Sequence, residues 1–353
     1  MPKLSANSAT RGGLLLALLI IAVAFPQVLT NPATVNYGVY AMIFVTVASA
    51  WGIFSGNSGY ISIGHAVFFG SGAYALGIMA HAWNVSPVGT FALLPLVAVV
   101  GAVIAAIVGI IALRVRRHTF IVITIGIFFI FQLMATNFGF TGGSNGLSPP
   151  FLPWSNAEVT TNFYYMALAA AVAAVAIAVV IRRSRFGLQL RAIRDDEDRA
   201  RGLGVKTMRV KLASLVISGT ITALIGAIWF YFVGNVQPDT GYDPLFDLLV
   251  VLMAFLGGYG TVAGPVLGAL IIEPGQLWLY TKSSNNYLSE IILGGVFLVF
   301  VLFVPRGIIP TGTEWITRLR TRGRPAVVTA VATATSGSVP PEPPSSEKVG
   351  AAQ

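Results

Sequence analysis

VGTFALLPLVAVVGAVIAAIVGIIAL, residues 88–113, contains no charged side chain and is followed at once by Arg114, Arg116 and Arg117. A helix rises about 1.5 Å per residue, so the run exceeds the ~20 residues needed to cross a hydrocarbon core. In lipid every backbone amide must find its partner inside the protein, and a helix satisfies them all within one segment. The stretch therefore reads as a transmembrane helix that ends in a basic anchor.

The same pattern recurs at 12–30, 37–55, 119–138, 163–181, 212–234 and 288–304. Two further regions, 59–81 and 245–280, are as apolar but are interrupted by glycine and proline; the first reads as one span and the second as two. The expectation is an all-α polytopic membrane protein of about ten transmembrane helices, some of them broken at glycine. Composition agrees, with 55% hydrophobic residues, 10% charged residues and a mean hydropathy of +0.78. A soluble chain of 353 residues would need far more charge to cover its surface.

A formal charge of +9 could indicate a nucleic-acid partner, but lysine and arginine retained on the cytoplasmic side account for it equally well. The distribution decides. With the N-terminus inside, residues 1–11, 114–118, 182–211 and 305–353 are cytoplasmic and hold two, three, ten and six of the 22 basic residues, leaving only Lys282 outside. That partition supports membrane lipid as the surroundings and no nucleic acid. A cleaved signal peptide ending near Ala22 and Ala24 is the alternative reading of the first run; retaining it closes an even count with both ends inside. The domain expectation is a cytoplasmic N-terminus at 1–11, a transmembrane domain at 12–310 containing the basic loop 182–211, and a mostly disordered cytoplasmic tail at 311–353. From about residue 325 the tail is rich in Ala, Thr, Ser and Pro and has too little apolar content to order itself.

No cysteine and only three histidines give no basis for a disulfide, a thiolate site or a metal cluster, and no cofactor is expected. In 59–81 the small residues Ser62, Ala66 and Gly70 recur every fourth position, with Ala73 and Gly77 repeating the spacing. In 245–280 Gly260, Gly264 and Gly268 do the same, and Pro265 is placed to open a helix after a break. Such faces let helix backbones approach closely, and broken backbone is tolerated where it is buried in protein or lines a water-filled path. Gly64, His65, Gly70, Gly260, Gly264, Pro265 and Gly268 are thus candidates for the path or for helix packing. His65, Asp247, Glu273 and Glu290 are ionisable groups at or near membrane depth. Asp247 and Glu290 are expected at outer ends in reach of water, while His65 is either a hydrogen-bonding partner for a neighbouring helix or a transport residue.

The loop RRSRFGLQLRAIRDDEDRARGLGVKTMRVK, 182–211, reads as a short surface helix with Phe186, Leu190 and Ile193 on one face. The pairs Arg191–Asp195, Arg194–Asp198, Asp195–Arg199 and Glu197–Arg201 stand four apart, and Gly202 and Gly204 end the helix. An apolar stripe beside mixed charge suggests a helix lying against a partner protein rather than against anionic lipid; a solvated loop is the plainer alternative.

Across about residues 37–310 the chain resembles the permease subunits of branched-chain amino acid ABC transporters, the second of the two paired permeases. The resemblance rests on GYISIGHAVFFGSGAYALG (59–77), TGGSNGLSPP (141–150), SRFGLQLRAIRDDEDRARGLGV (184–205), LGGYGTVAGPVLGAL (256–270) and FVPRGIIP (303–310). It implies an ABC importer permease fold, a related second permease, two ATP-binding subunits inside, a substrate-binding protein outside and residence in a bacterial-type cell membrane. It also implies that 184–204 is a coupling segment in which Arg191, Ala192, Ile193, Asp195, Glu197, Arg201, Gly202 and Gly204 seat against an ATPase. At RVRRHTFIVITIG, 114–126, the chain departs from the family pattern, with His118-Thr119 where a glycine and its neighbour are usual.

The absence of a G-x-x-x-x-G-K-[ST] motif means that a partner would hydrolyse the ATP, and the chain is not read as an enzyme. An ion-coupled secondary transporter would need charged relays in its core, and a membrane enzyme a paired acid, base or metal set; neither is visible. Branched-chain amino acids are the expected substrate, with urea or a short amide as the alternative within the same family.

Overall fold

The computed structural model describes residues 5–29, 31–282 and 307–312, together with positions 291, 294, 295 and 298. The described residues up to Thr311 form one compact unit. Among the described residues the structure is helical, and its single β-bridge joins Leu147 to Val236.

The helices are α1 Ser5–Val28, α2 Pro32–Trp51, α3 His65–Ala82, α4 Leu94–Ala112, α5 Arg117–Asn137, α6 Asn156–Arg183, α7 Arg185–Asp195, α8 Glu197–Gly202, α9 Thr207–Val233, α10 Pro238–Gly241, α11 Pro244–Gly258 and α12 Ala263–Lys282. Their starts are written in the sequence. Asn31 and Asp243 cap α2 and α11, each followed by a proline whose missing N–H would have been unpaired there anyway. Ser155 and Glu158 form a reciprocal capping box at the head of α6, and Arg182 and Arg183 fill its last turn.

Among the described residues six stretches are long and apolar enough to cross a membrane: Pro32–Gly56, Gly89–Ala112, Arg117–Asn137, Asn156–Arg183, Thr207–Val233 and Pro238–Gly258. The count of about ten is therefore not reached, for identifiable reasons. Helices α3 and α12 are 18 and 20 residues long, but glycines dilute both; α3 also carries two histidines, and α12 carries Glu273, Pro274 and Gln276. The apolar part of α1 is only Ala17–Val28, and α1 itself begins at Ser5, inside the expected N-terminal segment. Of the expected span 288–304 only positions 291, 294, 295 and 298 are described, and Glu290 and the tail beyond residue 312 lie outside the described residues. Region 245–280 is two helices parted at Tyr259–Val262, of which only the first falls in a stretch long and apolar enough to span. Region 59–81 is helical only from His65.

Helices meet through small residues. On α4 Gly101 and Ala105, and on α9 Gly219 and Ala223, stand one turn apart and interlock: a Cβ on Gly219 would lie 2.6 Å from the Ala105 methyl, and one on Gly101 2.5 Å from that of Ala223. Helix α3 crosses α9 backbone to backbone, Gly72 facing the Ala223 carbonyl and Gly226 the Phe69 carbonyl. Gly257 and Gly264, and Gly268 with the Met253 carbonyl, bring α11 and α12 equally close. Gly70 is pressed against Gly241 and Tyr242, while Ser62 precedes α3 and so is not part of its stripe.

Candidate functional site

Three non-helical joints gather at the end of the bundle that carries the basic segments. The first follows α2: a π-helical turn at Gly52–Gly56 continues through helical 57–58 into the irregular stretch 59–64. It is held by side chains. Asn57 Nδ2 donates to the Gly52 and Ile53 carbonyls at 3.1 Å, and Trp51 Nε1 donates to the Ser62 carbonyl at 2.9 Å. The second joint is Tyr259–Val262 between α11 and α12, where Gly260 takes φ +78°, a conformation that favours glycine. The third is Gly307, which leads into the helical residues 308–312 and lies directly on Gly258.

Onto these joints folds 182–211, which is two helices and not one. Asp196 is extended (φ −156°, ψ 109°) and caps α8 by accepting from Arg199 N at 3.0 Å. That break carries the second half of the segment off the helical wheel. Of the four charge pairs read from spacing, only Glu197–Arg201 forms, at 3.6 Å. Arg199 instead pairs with Asp196 at 2.9 Å, and Arg191 turns back to the Gly187 and Arg182 carbonyls. The apolar stripe is also accounted for within the chain. Leu190 and Ile193 are fully buried against Ile53, Ala178, Ile181, Ala200 and Val210, with Phe186 at the edge. Ala192 is half-buried; Asp195, Arg201, Gly202 and Gly204 face outward, with Gly204 at φ +87°. The large apolar side chains on the open face are Leu188, 57% exposed, and Leu203, 86% exposed.

Sequence reasoning missed the residues that fasten this unit. Lys211, 3% exposed on α9, donates to Glu197 Oε1 at 2.7 Å and to Tyr60 Oη at 2.9 Å, and Tyr60 donates to Glu197 Oε2 at 2.5 Å. Partial burial opposes ionisation of Glu197, but the bonds from Lys211 and Tyr60 outweigh it and hold the carboxyl below its usual range. Arg117, in the stretch where the family pattern fails, donates through Nη2 to the Ile193 carbonyl at 2.6 Å and the Arg194 carbonyl at 2.7 Å. It caps the end of α7. The segment 114–118 thus abuts the basic loop, and the two enclose a cleft of about 960 Å³ lined by Tyr60, Arg117, Glu197, Arg201 and Lys211 among others.

The remaining candidates include Gly64, which ends the first joint, and Pro265, which packs on its Gly52. His65 is fully buried at the head of α3, Nδ1 3.1 Å from Ser62 Oγ and Nε2 2.8 Å from Ser218 Oγ. Ser218 gives its only proton to the Ala50 carbonyl at 2.6 Å, so His65 Nε2 must carry the hydrogen and Nδ1 must accept from Ser62. Both ring nitrogens are occupied. Beside it, Asp247 is 1% exposed, not wetted at an outer end as its position suggested; Oδ1 accepts from Ala66 N at 3.0 Å. Gly64 has no side chain to cap α3, and a carboxylate from α11 supplies that cap across the packed interface. Glu273 is buried on α12. Gly64 lies against Thr124, and Pro265 packs near Gly52 in the first turn of α12. Among the described residues no group of three or more His, Cys, Asp or Glu is placed to hold a metal.

Glycine-tight helix crossings, joints at helix ends and a two-helix unit fastened across them define a polytopic, all-helical membrane protein. The chain belongs to the family described as branched-chain amino acid transport system / permease component, whose model matches residues 33–301. It is 26% identical to the high-affinity branched-chain amino acid transport system permease protein LivM of Escherichia coli strain K12, over 88% of this chain and 77% of that one. It is 25% identical to LivH of the same strain, over 81% of this chain and 95% of that protein. The ribose import permease protein RbsC of Bacillus subtilis is 28% identical over a shorter stretch, 35% of this chain and 40% of its own. No solved structure matches.

Proposed function

We propose that the chain is the permease subunit of an ATP-driven ABC importer of the cytoplasmic membrane that carries leucine, isoleucine and valine inward by alternating access. The observation that carries this reading is the family match over 33–301, supported by the LivM and LivH relatives that cover most of the chain. A second permease related to LivH, two ATPase subunits inside and a binding protein outside complete the assembly. No residue of this chain need perform chemistry.

In this reading α7 and α8 form the coupling unit. Ile193 holds it to the membrane helices, Glu197 anchors it through Lys211, and the open face bearing Asp195, Arg201, Gly202, Gly204, Leu188 and Leu203 is offered to an ATPase groove. Arg191 and Ala192 stiffen the helix behind that face. Closure of the ATPase dimer on ATP moves the unit, and the helix ends at the joints reorient. Gly64, His65, Gly70, Gly260, Gly264, Pro265 and Gly268 belong to the helices whose close packing shapes the path.

The test is uptake of radiolabelled leucine, urea and ribose in vesicles containing this chain with its neighbouring permease, ATPases and binding protein. Leucine uptake that requires ATP and is competed by isoleucine and valine is expected. ATP-driven uptake of urea or ribose alone would reassign the substrate, and uptake that follows an ion gradient without ATP would end the ABC reading.

A further inference from the structure

Arg194 is the side chain through which the unit α7–α8 grips two joints at once. Its Nη1 donates to the Gly56 carbonyl at 3.0 Å, at the end of the π-helical turn that closes α2. The same guanidinium stacks over the Tyr259 ring, 4.7 Å from its centroid, at the start of the α11–α12 joint. The backbone on both sides is shaped around it. A Cβ on Gly59 would lie 3.0 Å from Arg194 Cγ, and one on Gly260 would overlap its Nη1; both glycines have positive φ, +77° and +78°. Three further bonds make the grip rigid. Tyr259 Oη donates to the Ser55 carbonyl at 2.9 Å, joining one joint to the other. Arg182 Nη1 donates to the Gly260 carbonyl at 2.8 Å, and Arg117 Nη2 donates to the Arg194 carbonyl at 2.7 Å.

Among the described residues Arg194 has no carboxylate partner, although four acids follow it in the chain. A guanidinium that only made the segment soluble or set topology would pair with Asp195 or Asp198 or face water. This one is aimed inward at a carbonyl and a ring, which lysine cannot copy, because the planar fork both donates and stacks. Displacing α7 therefore moves the end of α2 and the junction of α11 with α12 together.

The geometry points to Arg194, with Tyr259 as its seat, as the positioning residue that converts movement of the coupling unit into movement of the broken membrane helices. The inference rests on the ATP-driven permease reading above. It adds that drive and transport can be separated at this one side chain while the ATPases stay bound.

The test uses the complete transporter in proteoliposomes, with leucine taken up per ATP hydrolysed as the readout. Arg194→Gln is expected to assemble with the ATPases in the wild-type ratio and to lose uptake per ATP by at least about tenfold, the scale of one charge-assisted hydrogen bond. Arg194→Lys, which keeps the charge over the ring, should recover part of the loss. Tyr259→Leu should reproduce it, and combining it with Arg194→Gln should cost less than the sum of the two, since both remove the guanidinium–ring contact. An unchanged ratio in assembled Arg194→Gln or Tyr259→Leu overturns the inference. So does loss of the ATPases from Arg194→Lys, since Arg194 would then be holding the docking face rather than transmitting. Failure of the functional reading looks different, because the wild-type assembly itself would then show no ATP-driven uptake.

Discussion

The interlock between α4 and α9 predicts that two damaging substitutions cancel. In Gly219→Ala the new methyl would sit 2.6 Å from the Ala105 methyl, where carbons in contact prefer about 3.5–4.0 Å, so the helices must part by about 1 Å. Neither side can yield by rotation, because an alanine methyl has no rotamer to change. Overpacking of this kind costs about 1–3 kcal/mol, against which alanine in a helix gains up to about 1 kcal/mol over glycine. The single change should destabilise by up to about 2 kcal/mol on these figures. Ala105→Gly alone leaves a hole and a poorer helix former, with a loss of similar size. The double substitution moves the methyl from one helix to the other and should return towards wild type once the Phe68 ring, 3.2 Å from the new methyl, gives by a few tenths of an ångström, which is a coupling of up to about 4 kcal/mol. Gly126→Ala is the control, because nothing lies within 4 Å of a Cβ there. Apparent unfolding midpoints of the detergent-purified protein would measure all four. If the double variant shows the sum of the two single losses, the interlock is not what packs these helices.

Three further outcomes follow from the same geometry. Gly264→Leu places a branched side chain where a Cβ already meets Thr261 Oγ1 at 2.5 Å and the Gly258 carbonyl, so leucine uptake should fall by more than membrane abundance does; full activity in a folded variant refutes the close-approach argument. Glu197→Gln removes the carboxylate that holds buried Lys211 and should lower the apparent unfolding midpoint, by less than the ~3 kcal/mol of a fully buried pair because Glu197 is only part-buried and solvent screens it. The pH sign is set by Glu197 being held below its usual range: its contribution is complete above the ordinary carboxylate pKa of 4.5 and is lost as pH falls through the lower folded value. Glu197→Gln should accordingly flatten the acid limb of stability against pH, and an unchanged limb would assign that limb to other groups. With no native cysteine, Asn156→Cys should react with an impermeant thiol reagent from outside and Leu203→Cys only after permeabilisation; external labelling at Leu203→Cys would invert the topology.

The residues by themselves determined the solvent and the class. An uncharged run such as 88–113 has one stable arrangement in lipid, and the arginines after it state which end is anchored. Glycines 264 and 268 were legible as close-packing positions because their spacing is local. Tertiary structure alone decided what lies across space. The wheel drawn through 182–211 failed at Asp196, where a side-chain cap interrupts the helix and turns Arg194 from a partner of Asp198 into a ligand of Gly56 and Tyr259. Ile193 looked like a surface for a partner protein because its own partners, Ile53 and Val210, are remote in sequence. Asp247 looked wetted because its position along the chain says nothing of α3, whose uncapped head it serves. Periodicity reports which face of a helix is apolar; only packing reports whether that face meets lipid, another protein or the same chain.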